Sequence, residues 1–363
     1  MILKIFLFWR LGLFLTTYLG SLALPKIPNS GLGAFGPNKN FDFWASWAQW
    51  DGGHYLKLAK AWYIQSSDFA FFPLFPAVVR ILSGLLGENY LLSGLIVSNL
   101  SFLAFLLVFY RFVQEKFSSK VAYSTVISLV VFPTTFFAVA LYSESLFLLF
   151  CALTFWFLLR KKFLHASIAA SLASLTRGVG VFLILPIFYS YLSSIRFDLR
   201  KINVRVLHVS VAFFGFSLYA LYLFANFNDP FNFLTAQGFW QRSIIDPAST
   251  IFGYAWAMLF RGPRPLNDYF DLALTLLFLS SLILGTKRLP SSLWIFSILT
   301  VLLPASTGTL TSMPRYLIAS LGVFIILGQL LETYPKLKPV LWSISLVLQV
   351  ILTSLFINGF WVA

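Results

Sequence analysis

The chain has 363 residues, of which 59% are hydrophobic, 19% aromatic and only 10% charged, with a mean hydropathy of +0.85. That balance excludes a water-soluble domain and predicts an integral membrane protein. The formal charge of +14 is spread along apolar sequence, so it reads as membrane topology and gives no reason to expect nucleic acid.

The apolar runs have the length of helices crossing a bilayer core about 30 Å thick and lack the alternation of outer-membrane strands. The predicted fold is all-α and polytopic. Spans are expected near 5–24, 89–111, 121–141, 142–159, 164–176, 178–195, 206–226, 269–286, 291–304, 315–333 and 339–360, eleven in all. The first resembles a signal peptide but has no clear small-x-small cleavage site, so it is read as a retained anchor. Cys151, the single cysteine, has no disulfide partner.

Eleven spans with a cytoplasmic N-terminus put every second connection on the inside, where basic residues should gather. Those connections hold Lys116, Lys120, Arg160 to Lys162, Arg196, Arg200, Lys201, Arg205, Lys287, Arg288, Lys336 and Lys338. With Lys4, Arg10 and Arg111 they make 16 of the 26 basic residues. Of the 12 acids, only Glu115, Asp198 and Glu332 fall on that side. The chain thus reads as one transmembrane domain over 1–363. Its two long outer connections are 25–88, with interfacial helices, and 227–268.

The first of these contains FDFWASWAQWDGGHYLKLAK. Asp51 there fits a helix N-cap and equally a general base at the membrane surface, two compatible roles. Trp47, Trp50 and Tyr55 around it suit an interfacial belt or a sugar-stacking surface. His54 lacks the companions of a metal site, because His165 and His208 fall on the other side; no metal is expected. Glu144, in ALYSESLFLLF, is an acid at membrane depth and must face protein or water unless it only starts a helix. Arg80, Arg177 and Arg315 lie on the outer side, where topology gives no reason for them. Each alone could reach headgroups; together, beside Asp51 and Glu144, they suit an anionic ligand such as a lipid phosphate.

WDGGHYLKLAKAWY, AFFPLFPAVVRIL, PTTFFAVALYSESLFLLF and LTRGVGVFLILP follow one another over residues 41–190, with SMPRYLIASLG at 312–322. In this order they resemble the GPI mannosyltransferase 2 family of the GT-C glycosyltransferase superfamily. The short loops point to a prokaryotic-type relative. Where eukaryotic members read Arg-Ser-Asn-Gly or similar, this chain has Arg177-Gly178-Val179-Gly180, so the arginine carries over and the following polar contact does not.

The resemblance implies a GT-C-like bundle that transfers a sugar, mannose, from a polyprenyl-phosphate donor to a glycan or glycolipid hydroxyl outside the membrane, with inversion. No cofactor is implied beyond the lipid-linked donor, and membrane lipids are the surroundings. The implied place is a prokaryotic plasma membrane with the site outside, or the endoplasmic reticulum with the site in the lumen for a eukaryotic chain. Asp51 and Glu144 become the catalytic acids. The substrate-binding set is Trp47, Trp50, His54, Tyr55, Arg80, Tyr142, Arg177, Arg315 and Tyr316. A transporter or flippase of a lipid-linked anion, and a noncatalytic membrane subunit, are the other readings these residues allow.

Overall fold

A computed structural model of the chain describes residues 1–27 and 41–362; residues 28–40 of the first outer connection, and Ala363, lie outside the described residues. Every regular element described is helical, as a bilayer requires of a chain whose backbone must satisfy itself. The helices are α1 (Ile2–Ala23), α2 (Asp51–Ala61), α3 (Leu74–Leu85), α4 (Tyr90–Lys116), α5 (Ser119–Val130), α6 (Glu144–Leu159), α7 (Phe163–Thr176) and α8 (Ile184–Ser194). They continue with α9 (Leu207–Phe227), α10 (Asn232–Thr235), α11 (Pro247–Phe260), α12 (Leu266–Leu284), α13 (Ser291–Ala305), α14 (Met313–Tyr316), α15 (Leu321–Thr333) and α16 (Leu337–Ile357).

Each expected span contains helix, but length divides them. Five helices are long and apolar enough to cross alone: α1, α4, the helix 204–227 that includes α9, α12 and α16. A sixth crosses if 313–319 and 321–333, which meet at 77°, count as one broken span. The other expected spans correspond to helices of 10–17 residues, too short to cross unaided.

The expected span 121–141 is corrected. Its helix stops at Val130, three residues before Pro133, which has no N–H to continue the ladder. The chain then runs through turns and a short 3-10 segment, Thr135–Ala138, to Ser143, almost wholly buried. Irregular backbone at this depth needs protein partners. Gln349 of α16 donates to the carbonyls of Val130 and Phe132, Asn99 of α4 to that of Val139, and Leu141 N–H to that of Trp47. This segment delivers Glu144 to the start of α6.

Small residues bring α7 and α9 together: a Cβ on Gly215 would lie 2.0 Å from the Ser171 carbonyl oxygen. α7 ends at Thr176 and hands the chain to Arg177, at the same end of the bundle as Glu144. At the opposite end, Arg160, just beyond α6, pairs with Glu115 near the end of α4 at 2.7 Å. Arg10, grouped by sequence with the inner basic residues, is instead buried in the bundle, its guanidinium 4.3 Å from the Phe14 ring and 5.0 Å from that of Trp47. Asp271, grouped with the outer acids, is buried within α12.

Candidate active site

Asp51 opens α2 after Trp50, whose φ of 53° turns the chain sharply into the helix. Further round the first connection, Asp68 accepts from the Ile64 and Gln65 N–H groups and from Lys57 Nζ, tying the loop back onto α2. Arg315 arrives on α14, which starts from Ser312 at φ 73°. Its Nη1 donates to Asp51 Oδ2 at 2.7 Å, and its Nε stands 3.4 Å from Glu144 Oε1. The same glutamate oxygen meets Arg177 Nη1 at 2.5 Å. The four charges form a chain, Asp51–Arg315–Glu144–Arg177, along one wall of a cavity of about 650 Å³.

Tyr316 is the second organiser. Its hydroxyl accepts from Arg315 Nη2 at 3.2 Å and from Arg242 Nη2 at 3.0 Å, and the guanidiniums of Arg177, Arg242 and Arg315 all lie 5.1 to 5.4 Å from its ring centroid. Tyr142 lies under Arg315, ring to guanidinium 5.4 Å, and donates to the Gln49 carbonyl. The Tyr55 and Ser143 hydroxyls are 2.6 Å apart, joining α2 to the residue before Glu144.

Burial pushes the Asp51 carboxyl up, but Arg315, then His54 and Arg177, outweigh it and hold Asp51 below its ordinary value. Burial, with Lys57 adding, holds His54 below its own ordinary value against the pull of Asp51 and Asp68. His54 stacks on Phe71 at 4.7 Å and meets Trp240 edge-on, behind the cavity wall. Among the described residues no three His, Cys, Asp or Glu side chains gather as a metal site.

The structure brings Asp51, Tyr55, Glu144, Arg177, Arg315 and Tyr316 to the cavity, with Tyr142 and His54 packed behind it. Arg80 does not join them. It is exposed on α3, whose buried face is Phe75, Val79 and Ser83, so helix phase turns it away. Trp47 is 1% exposed in the core, and Trp50 stands edge-on to Trp361 at 4.8 Å, so only neighbours of these two tryptophans touch the cavity. Sequence reasoning missed Arg242 and Trp240. The signal was present: FWQRS puts a basic residue in an outer connection, the feature that marked Arg177.

The Mannosyltransferase (PIG-V) family model matches residues 7–247. Two structures of ArnT from Cupriavidus metallidurans, one bound to undecaprenyl phosphate and one apo, share the fold, each with a TM-score of 0.56. Identity is 15% and 16% over 94% and 95% of this chain, which spans 62% of the ArnT chain. The bundle thus shares the GT-C-like fold of ArnT. A search of curated proteins found no match.

Proposed function

The chain belongs to the mannosyltransferase (PIG-V) family, and from that premise we propose a multi-pass membrane glycosyltransferase that moves mannose from a polyprenyl-phosphate donor to a hydroxyl of a glycan or glycolipid, with inversion. One observation carries the reading: the chain Asp51–Arg315–Glu144–Arg177 walls a single cavity, a carboxylate next to fixed cations. The ArnT structure bound to undecaprenyl phosphate supports a lipid-phosphate donor.

The acceptor oxygen attacks the anomeric carbon, the bond from that carbon to the phosphate oxygen breaks, and its electron pair leaves with the polyprenyl phosphate. Asp51 takes the acceptor proton. An oxocarbenium-like transition state demands more of a charged carboxylate in place than of a strong base, and the arginine pairing keeps Asp51 charged. Arg177 and Arg315 face the charge that grows on the phosphate, while Glu144 holds both guanidiniums in position. Tyr55 and the aromatic wall of Phe71 and Trp240 offer faces for the sugar. By the charge of its connections, the site faces outward across a prokaryotic plasma membrane.

The test supplies proteoliposomes with synthetic polyprenyl-phosphate mannose and identifies the mannosylated product. An Asp51→Asn protein should bind donor and transfer nothing measurable; transfer at the wild-type rate would remove Asp51 from the chemistry.

A further inference from the structure

Five charged side chains line the cavity: Asp51, Glu144, Arg177, Arg242 and Arg315. Two acids pair with two arginines, and the third arginine has no carboxylate within ion-pair distance among the described residues. Arg242 Nη2 donates only to neutral acceptors, the Thr311 carbonyl at 3.3 Å and the Tyr316 hydroxyl at 3.0 Å. Among the described residues the rest of its fork has no protein hydrogen bond.

Nor is Arg242 a loose surface residue. Gln241, at φ 56°, turns the chain into it, and the Arg242 N–H donates to the Gln237 carbonyl at 3.2 Å. Just beyond, Ser243 and Ile245 donate from their backbones to Thr307 and Ser306, both at 3.0 Å, pinning this stretch to the segment before α14. The second outer connection is thus tied to the element that carries Arg315, and Arg242 is presented over the Tyr316 ring.

Resting on the function proposed above, we propose that Arg242 binds the phosphodiester of the lipid-linked donor. Charge balance supports the assignment. Three guanidiniums and two carboxylates leave one positive charge, which a phosphodiester monoanion cancels. When Asp51 takes the acceptor proton, the cavity carries two positive charges, and the departing phosphate monoester, as a dianion, carries two negative ones. The site is neutral before and after transfer. The same connection also lines the cavity with the apolar Phe231, Phe233 and Leu234, which suits the first isoprene units of a lipid and not a nucleotide.

The experiment compares wild type, Arg242→Gln and Arg242→Lys, matched by thermal melting in detergent. Two quantities are read: binding of short-chain polyprenyl phosphate by quenching of tryptophan fluorescence, and initial transfer rates in proteoliposomes. Arg242→Gln should weaken binding and raise the donor KM by roughly ten- to hundredfold, the size expected for losing hydrogen bonds to a charged group. Arg242→Lys should recover part of this, restoring charge without the planar fork. Unchanged phosphate binding in Arg242→Gln overturns the assignment, and so does an effect confined to the acceptor KM. If wild type transfers no mannose while phosphate binding still depends on Arg242, the proposed reaction fails and the phosphate site stands.

Discussion

Arg315 Nη1 lies 2.7 Å from Asp51 Oδ2, so the proposed base rests in an ion pair with a cation proposed to face the leaving group. The pair joins residues 264 positions apart and holds the first outer connection against α14. This pair and the neighbouring Arg177–Glu144 pair have consequences that separate in experiment.

The first is a pH dependence. Arg315 is the main influence holding Asp51 down against the upward push of burial. Removing it in Arg315→Gln should let the Asp51 carboxyl titrate at higher pH, and the acid limb of kcat/KM against pH should move the same way. For stability the sign follows from a lowered folded value. The pair contributes fully above the ordinary carboxylate value of about 3.9 and is lost as pH falls through the lower folded one. Wild type should therefore lose more of its melting temperature on acidification than Arg315→Gln does. An acid limb that stays in place in a folded Arg315→Gln protein separates Asp51 from that limb.

The second concerns the leaving group. Arg177→Lys keeps the charge opposite Glu144 but loses the fork. Since the phosphate gains charge as the glycosidic bond breaks, the loss should fall on kcat more than on donor KM, by roughly a hundredfold, about 3 kcal/mol. Wild-type turnover in a well-folded Arg177→Lys protein would leave that residue a structural partner of Glu144 with no part at the phosphate.

Much of this site could be read from the order of WDGGHY, YSESLF and LTRGVG, because an acid or arginine deep in apolar sequence must be brought to a partner. Helix positions were equally plain from apolar runs. What could not be read depends on tertiary partners. Residues 131–143 leave the helix because Gln349 and Asn99, far off in sequence, can satisfy their carbonyls. Arg242 reaches the cavity through a loop pinned to residues 306 and 307, pairing that no periodicity announces. Arg80 was different, since the spacing of Phe75, Val79 and Ser83 already turns it outward.

Packing behind the site gives a third prediction. α7, which ends at Arg177, lies so close to α9 at Gly215 that a methyl there would meet the Ser171 carbonyl oxygen at 2.0 Å. Backbone cannot yield as a side-chain tip can, so Gly215→Ala should lower stability by about 1–3 kcal/mol and depress activity with it. Gly12→Ala in α1, where a Cβ would meet nothing within 4 Å, is the control and should melt like wild type. Equal melting of both variants would show that α7 and α9 have room to separate.

The last prediction is the side of the membrane on which the site opens. α6 runs from Glu144 in the cavity wall to Leu159, and Arg160, Lys161 and Lys162 follow it at once, so the basic cluster and the acid site lie at opposite ends of one helix. If the basic connections stay in the cytoplasm, as such connections generally do, the cavity is expected outside. Cys151 is fully buried, and a Cys151→Ser background gives a chain with no other thiol. Into it go Ile64→Cys, at a residue 65% exposed in the first outer connection, and separately Lys161→Cys. In intact cells a membrane-impermeant maleimide should label position 64 and leave position 161 untouched until the membrane is permeabilised. Labelling of position 161 alone would invert the molecule, and the lipid-linked donor would then have to be met on the cytoplasmic face.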